Sequence, residues 1–273
     1  MLDALTDAAR KDTDSTNDTR RSLRRCISAS ARRPPTTLSA RDPYVGCRFP
    51  KRAVFLHQDP KLVLVPQFLT KTELARLLAS ADSHRAVFQR SQVDTHQNTT
   101  LNVPYRTSRS AALPEDSVVR RVIRRAADIL HVFPSQFESP QLVRYEAGQE
   151  FKTHHDAATL MFLDPEPEPQ HRDDEHETVC RPFVLQISPL LPKRLWTCLI
   201  YLTSQQGEDQ GGETIFPLLD ISVRPQAGAA LFWNNFTAPE QPHRPDRPDP
   251  RVVHGGQRLS RGLKLAINLW VSP

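Results

Sequence analysis

The chain has 273 residues, of which 38% are hydrophobic, 25% are charged and 24 are proline, so we expect a globular protein with one large domain or two small ones. Residues 1–52 carry 12 of the 36 basic residues but only 6 of the 31 acidic ones, so the net charge of +5 belongs to this segment. The near-neutral remainder argues against a nucleic-acid groove, and the lack of an apolar run of about 18 residues argues against a membrane span.

Residues 1–52 are predicted to be a disordered basic tail. The segment is rich in arginine, serine, threonine and aspartate, and it has too few apolar residues to form a core. Its Arg20–Arg25 cluster is interpreted foremost as part of a solvated flexible arm, and a nuclear address or an anionic partner such as nucleic acid is the alternative. The segment lacks the features of secretory and mitochondrial leaders, and the four cysteines are scattered. We therefore expect a cytoplasmic or nuclear protein.

Two amphipathic helices are predicted at the start of a single domain, residues 53–273. Thr70 is followed three residues later by Glu73, which is the pattern of a capping box and predicts a helix over roughly 70–82. Pro114 with two acids after it predicts the start of a second helix, which ends near residue 131. Four arginines lie on the polar face of the second helix, and we expect this face to be solvated.

The rest of the domain is dominated by short strands separated by glycine and proline, a pattern typical of antiparallel sandwiches and barrels. Two stretches interrupt it, an acidic and proline-rich one at 164–194 and one with five prolines at 237–250. Both are predicted to be surface-loop insertions. The predicted strands are Lys61–Val65, Gln141–Tyr145, Glu150–Asp156, Leu195–Leu202, Gly211–Pro217, Ile221–Arg224, Ala229–Trp233 and Leu263–Val271.

The predicted strand at 150–156 carries a candidate metal site. His154 and Asp156 are two residues apart, so their side chains point to the same face and can chelate one ion. Two imidazoles and one carboxylate leave three positions of an octahedron open, as a non-haem Fe(II) oxygenase requires. His254 can supply the second imidazole, and Lys264 can bind the far carboxylate of a 2-oxo acid. Another His-x-Asp tripeptide, at 57–59, precedes the first predicted core strand and is set aside.

These features resemble, in kind and in order, the prolyl 4-hydroxylase-like branch of the iron- and 2-oxoglutarate-dependent dioxygenases. The resemblance covers roughly residues 60 to 271 and depends on the order of several motifs rather than on any single one. The matching motifs are Arg144–Gln149, Phe151–Asp156, Thr197–Leu202, Gly211–Pro217, Val253–Gly256 and Gly262–Trp270.

The resemblance implies a mainly β fold of the α+β class, a double-stranded β-helix (jelly roll) with N-terminal supporting helices. It implies that His154, Asp156 and His254 bind Fe(II). Lys264 would bind 2-oxoglutarate. Tyr145 and Tyr201 would line the same pocket, with packing in the core as an equal alternative for both. The implied cosubstrates are 2-oxoglutarate and O2, with L-ascorbate as the reductant.

The resemblance also implies hydroxylation of a protein side chain, foremost peptidyl-proline, coupled to decarboxylation of 2-oxoglutarate to succinate and CO2. The partner would be a proline-containing protein or peptide. The endoplasmic reticulum is the family-based alternative for location. Phe151, Ala157 and Leu265 differ from the residues usual in the branch, so the substrate stays open. A nucleic-acid demethylase of the same chemistry and a non-catalytic jelly-roll binding module are the alternatives. The sequence does not predict the oligomeric state.

Overall fold

A computed structural model of the chain defines the fold. The described residues are 47–83, 88–90, 93–94, 100–101, 106–157, 159–162, 183–186, 193–205, 207, 210–237 and 247–273. Most of the predicted basic tail and most of the 164–194 insertion lie outside these residues. Residues 47–52, predicted to belong to the tail, instead pack on the domain, because Phe49 makes edge-to-face contacts with Phe55 and Phe232. The prediction of disorder is wrong for these six residues.

The strands are short and all their pairings are antiparallel. In chain order they are β1 (Val54–His57), β2 (Leu62–Val65), β3 (Gln89–Arg90), β4 (Val93–Asp94), β5 (Thr100–Leu101), β6 (Arg109–Ala112), β7 (Gln141–Glu146), β8 (Phe151–His154), β9 (Thr159–Phe162), β10 (Phe183–Gln186), β11 (Trp196–Tyr201), β12 (Thr214–Phe216), β13 (Ile221–Val223), β14 (Ala230–Asn234), β15 (His254–Gly256) and β16 (Leu263–Val271).

Most strands belong to two sheets. The larger has the order β1-β2-β14-β11-β16-β7-β6-β3 and the smaller the order β13-β12-β15-β8. Strand β11 is apolar on both faces because each face packs against a different core. Cys198 and Ile200 join a core with the helices, while Leu199 and Tyr201 join a core shared with the smaller sheet. Because strand side chains alternate, a strand covered on both faces reads as a continuous apolar run. The mainly β prediction is confirmed.

The two predicted helices are confirmed as α1 (Lys71–Ser83) and α2 (Ser117–Leu130). The backbone N–H of Thr70 donates to Glu73 at 2.9 Å, and that of Glu73 donates to the Thr70 hydroxyl at 3.2 Å, which is a capping box. Helix α2 begins later than predicted, because Asp116 rather than Pro114 caps it by accepting from two backbone N–H groups. Among the described residues, no helix is long and apolar enough to cross a membrane.

The sequence predicted that the polar face of α2 is solvated, and this prediction is wrong for Arg125, which binds protein partners. The Arg125 guanidinium donates to both carboxylate oxygens of Glu73, at 3.0 and 2.8 Å, and to the Phe68 carbonyl at 2.9 Å. The hydrogen bond from Arg125 outweighs the burial of Glu73 and lowers the pKa of its carboxyl to about 2. This buried ion pair joins the two helices, so Arg125 is a structural residue.

One of the predicted loop insertions contains a strand. Within 164–194, residues 183–186 form β10 and pair with β9, with Phe183 opposite Phe162. A short apolar run, Phe-Val-Leu-Gln, inside an otherwise polar segment can form such a strand once a partner lies beside it. The prediction of a continuous loop is therefore wrong for these four residues. In 237–250, the described residues include Pro250, which starts a 3-10 turn that leads into β15.

Candidate metal and cosubstrate site

Strands β8 and β15 bring three predicted site residues together. His154 ends β8, His254 begins β15, and the two are register partners. Their Nε2 atoms each lie 3.7 Å from a carboxylate oxygen of Asp156. One ligand atom from each residue lies within 4.8 Å of the others, and the described part of the chain holds no second cluster of this kind. The arrangement offers two nitrogens and one oxygen to a single ion.

Backbone carbonyls fix the orientation of both imidazoles. The Nδ1 atom of His154 lies 3.0 Å from the Lys152 carbonyl, and that of His254 lies 3.0 Å from the Val252 carbonyl. A carbonyl can only accept, so each Nδ1 carries the proton and each Nε2 keeps a free lone pair. Such outer hydrogen bonds commonly set the tautomer of metal-binding histidines. Both rings therefore present the nitrogen that a cation needs.

The protonation states suit a divalent cation. Burial lowers the pKa of His154 to about 3, so its ring is neutral at pH 7. Burial would raise the pKa of Asp156, but the neighbouring imidazoles, Arg194 and the Thr197 hydroxyl outweigh it and hold that pKa below its usual range. Two imidazoles beside an ionised carboxylate form the donor set of non-haem Fe(II) sites.

Aromatic rings hold the two histidines from outside the metal position. The Phe151 ring stacks on His154 with centroids 3.6 Å apart, and the Arg106 guanidinium lies 4.5 Å from the centre of the Phe151 ring. His254 contacts Trp233 edge to face at 4.7 Å. These contacts restrict rotation of the imidazoles. The sequence marked Phe151 only as an unusual residue and gave no signal for Arg106.

Lys264 is a buried cation on β16. Its side chain lies opposite Tyr145 of β7, and its Nζ donates to the Gly212 carbonyl at 2.6 Å. Burial lowers the pKa of the Lys264 ammonium to about 8, although the charge of Glu213 acts in the opposite direction. A buried ammonium that retains its proton at neutral pH is suited to bind an anion, and a carboxylate is one such anion.

Gly256 places the metal position near Lys264. It follows His254 by two residues on β15, and a Cβ atom at Gly256 would lie 3.6 Å from the Tyr145 hydroxyl and 3.8 Å from the Lys264 Nζ. The strand that carries the imidazole of His254 therefore also contacts the ammonium and the phenol. Contact of Tyr145 with a cosubstrate stays a prediction.

The Tyr201 hydroxyl is used within the protein, as the Tyr145 hydroxyl is by its hydrogen bond with Ser108. Tyr201 is fully buried and donates to the Thr214 hydroxyl at 2.8 Å. The centre of its ring lies 6.0 Å from the Lys264 Nζ. This geometry fits the packing alternative stated for Tyr201, and direct contact with a cosubstrate stays a prediction.

The Gly-Gly-Glu-Thr turn contributes more than the sequence indicated. Gly211 and Gly212 have φ values of +67° and +80°, which glycine adopts most readily. A Cβ at Gly211 would lie 2.1 Å from the Arg258 carbonyl oxygen, so no larger residue fits. The turn thereby holds the Gly212 carbonyl against Lys264. The motif was visible in the sequence, but this hydrogen bond between backbone and lysine was not.

Comparisons with known proteins agree with this geometry. Residues 140–272 match the sequence model of the 2OG-Fe(II) oxygenase superfamily, a range that includes every residue predicted for the site. The chain is 26% identical over 239 residues to probable prolyl 4-hydroxylase 3 of Arabidopsis thaliana, covering 79% of this chain and 70% of the relative. It is 29% identical over 227 residues to human prolyl 4-hydroxylase subunit alpha-3, covering 81% of this chain and 35% of that relative.

A solved structure supports the fold. The viral collagen prolyl hydroxylase of Paramecium bursaria Chlorella virus-1, in complex with 2OG, matches with a TM-score of 0.50 and 20% sequence identity. The match covers 77% of this chain and 94% of the viral chain. At this identity the likeness concerns the fold, and it confirms the predicted double-stranded β-helix.

Proposed function

We propose that this chain, which matches the 2OG-Fe(II) oxygenase superfamily over residues 140–272, hydroxylates proline residues of a protein or peptide. As a 2-oxoglutarate-dependent dioxygenase, it uses Fe(II), 2-oxoglutarate and O2. The observation that supports the proposal most is the cluster of two imidazoles and a carboxylate, with the buried Lys264 close to Gly256, two residues beyond His254. The prolyl substrate follows from relatives that are named prolyl 4-hydroxylases and match about four-fifths of the chain.

In this proposal His154, Asp156 and His254 hold the Fe(II). Their donor set fits the ion, because two imidazoles and one carboxylate leave room for a chelating 2-oxo acid and for O2. When bound, the iron supplies the activation of O2 that couples oxidative decarboxylation of 2-oxoglutarate to insertion of oxygen into a C–H bond. Lys264 binds the distal carboxylate of 2-oxoglutarate, and the Tyr145 hydroxyl contacts the same molecule.

The other pocket residues position groups and exclude water. Trp233 and Phe216 are almost fully buried beside His254 and present apolar rings to the pocket. The Tyr201 hydroxyl donates its only proton to Thr214, so any contact with the cosubstrate would use its oxygen as an acceptor. Placing charged groups in a dry pocket strengthens their hold on the cosubstrate, because low dielectric strengthens electrostatic interactions.

The test is turnover of the purified chain with Fe(II), 2-oxoglutarate, ascorbate and O2. We expect succinate release that is stimulated by proline-rich peptides, with one oxygen added per modified proline by mass spectrometry. His154→Ala should abolish this release. His57→Ala is the matched control, because His57 also belongs to a His-x-Asp tripeptide but binds the Pro60 carbonyl away from the cluster, and it should retain full release.

The outcomes separate the alternatives. Stimulation by alkylated nucleic acid instead of proline peptides would assign the same chemistry to a demethylase. Metal and 2-oxoglutarate binding without succinate release on any substrate would favour a binding module. Release by His154→Ala equal to that of the unchanged chain would contradict the assignment of the metal site.

A further inference from the structure

We propose that Thr197 and Asn235 are positioning residues that restrict Asp156 to binding the metal through a single oxygen. This inference depends on the metal-binding role proposed for Asp156, but not on the identity of the substrate. Both residues are buried and polar. Their hydrogen bonds go to Asp156, to each other and to the Arg194 carbonyl, and none of these bonds involves Lys264, His154 or His254.

Thr197 engages one of the two carboxylate oxygens of Asp156. Its hydroxyl donates to Oδ2 over 2.6 Å, which is in the range of short, charge-assisted hydrogen bonds. Thr197 lies on β11 of the larger sheet, whereas Asp156 follows β8 of the smaller one, so the bond joins the two sheets at the metal position. Thr197 is only 1% exposed, and water therefore has little access to compete for this carboxylate oxygen.

Asn235 fixes the direction of that hydrogen bond. Its Nδ2 donates to the Thr197 Oγ1 at 3.0 Å and to the Arg194 carbonyl at 3.1 Å. Flipping the amide would place Oδ1 against the Arg194 carbonyl, so that two acceptors would face each other, and this excludes the flip. The threonine oxygen therefore accepts from Asn235. The single proton of its hydroxyl is left for Asp156.

The arrangement is not explained by packing alone. Asn235 is fully buried, and its Oδ1 has no hydrogen-bond partner among the described residues. An unpaired buried polar atom typically costs about 1–3 kcal/mol. A residue that only filled space would avoid this cost by being apolar. The cost is understandable when one N–H of the amide orients the Thr197 hydroxyl and the other fixes the amide on the Arg194 carbonyl.

The number of Asp156 oxygens that bind the metal determines how many coordination positions stay open. Both oxygens border the metal position, with Oδ1 3.7 Å from the His154 Nε2 and Oδ2 3.7 Å from the His254 Nε2. The hydrogen bond from Thr197 uses one lone pair of Oδ2 and none of Oδ1, so it favours Oδ1 as the oxygen that binds the ion. A carboxylate that bound through both oxygens would occupy an extra position and leave two open. Binding through one oxygen leaves three, which is the number that a chelating 2-oxo acid and O2 require together. Thr197 and Asn235 thus keep a coordination position free.

Thr197→Val tests the proposal, because it removes the hydroxyl and keeps the shape. The carboxylate of Asp156 then loses the hydrogen bond that orients it towards the ion. We therefore expect Mn(II) to bind about 10–100-fold more weakly in an anaerobic titration, the loss typical of altered outer-shell partners. 2-Oxoglutarate should also bind the Mn(II)-saturated variant more weakly. Thr197→Ser keeps the hydroxyl and should restore both affinities to within a few fold. Asn235→Ala frees the hydroxyl to rotate and should weaken both affinities in the same direction.

Thr203→Val is the matched control. The Thr203 hydroxyl accepts from the Leu265 N–H at 2.9 Å, so the variant loses one threonine hydrogen bond beside the same sheet without touching the triad. Its Mn(II) affinity should be unchanged. Unaltered Mn(II) and 2-oxoglutarate affinities in folded Thr197→Val, or in Asn235→Ala if Thr197→Val does not fold, would overturn the proposal. Neither measurement needs a substrate, so failure of proline hydroxylation would not affect the result.

Discussion

The charge of Lys264 makes cosubstrate binding depend on pH. Burial lowers the pKa of this lysine to about 8, so the ammonium is present below pH 8 and is lost as the pH rises above it. We expect the dissociation constant of 2-oxoglutarate, measured with Mn(II)-loaded protein, to be flat from pH 6.5 to 7.5 and to rise beyond about pH 8. A bound carboxylate holds the proton on the lysine, which shifts the observed midpoint upward.

Lys264→Met is the control for this prediction, since it keeps the length of the side chain and removes the charge. Losing one partner of a buried charge pair typically costs about 2 kcal/mol or more, which corresponds to at least about 30-fold in affinity. The variant should therefore bind 2-oxoglutarate weakly at every pH in this range. A rise of the dissociation constant above pH 8 in Lys264→Met as well would show that another group titrates.

At the residue scale, the closeness of His154 to Asp156 could be predicted from side-chain type and spacing, because residues two apart on a strand share a face. The roles of these residues and of Lys264 stay predictions. Asn235 gave no such signal, since an asparagine near the end of a strand is common and its role depends on Thr197 and Arg194, which are distant in sequence. The hydrogen bond from Lys264 to the Gly212 carbonyl could not be predicted either, because every residue has a carbonyl and only the fold determines which one lies beside the lysine.

At the scale of elements, the Glu73–Arg125 pair joins α1 to α2. Because the pKa of Glu73 is lowered from 4.5 to about 2 in the folded protein, the pair contributes stability above pH 4.5 and loses it as the pH falls towards 2. We expect Glu73→Gln to lower the free energy of unfolding by about 2 kcal/mol at pH 7, since Arg125 remains partly solvated. Urea titrations at pH 7 and pH 3 measure the difference.

The pH dependence distinguishes this ion pair from the capping box. At pH 3 the unfolded chain has a protonated Glu73, so the difference between the two proteins should be much smaller than at pH 7. In the variant, the Thr70 hydroxyl still accepts a hydrogen bond from the backbone N–H of residue 73, so this hydrogen bond of the capping box is retained. An equal difference at both pH values would mean that capping, and not the ion pair with Arg125, stabilises the helices.

Elements were predictable where local signals agree with the environment. The strand at 196–201 and the helix after Thr70 carry their own apolar pattern or cap. Residues 47–52 and 183–186 were missed because their order comes from partners outside the segment, an aromatic contact for Phe49 and the facing strand β9 for β10. Composition averaged over a window cannot reveal such partners.

At the scale of the whole molecule, the pocket spans both sheets. The proposed metal ligands His154 and His254 belong to the smaller sheet, whereas Lys264 belongs to the larger one. A 2-oxo acid that chelates the metal and binds the lysine therefore connects the sheets. Because the unfolded chain has no such pocket, both ligands should stabilise the fold by mass action.

If the cosubstrate connects the two sheets, the melting temperature should rise with Mn(II) and rise again when 2-oxoglutarate is added. Mn(II) at about 100 times its dissociation constant should add about 2.7 kcal/mol, or roughly 5 to 10 °C for a domain of this size. 2-Oxoglutarate should add a further rise only when Mn(II) is present, because without the ion it has the lysine alone. Lys264→Met should retain the rise with Mn(II) and lose the second step, whereas His154→Ala should lose both. An equal rise with 2-oxoglutarate in metal-free and metal-loaded protein would mean that the cosubstrate binds one sheet only, and that the lysine and the triad do not share a ligand.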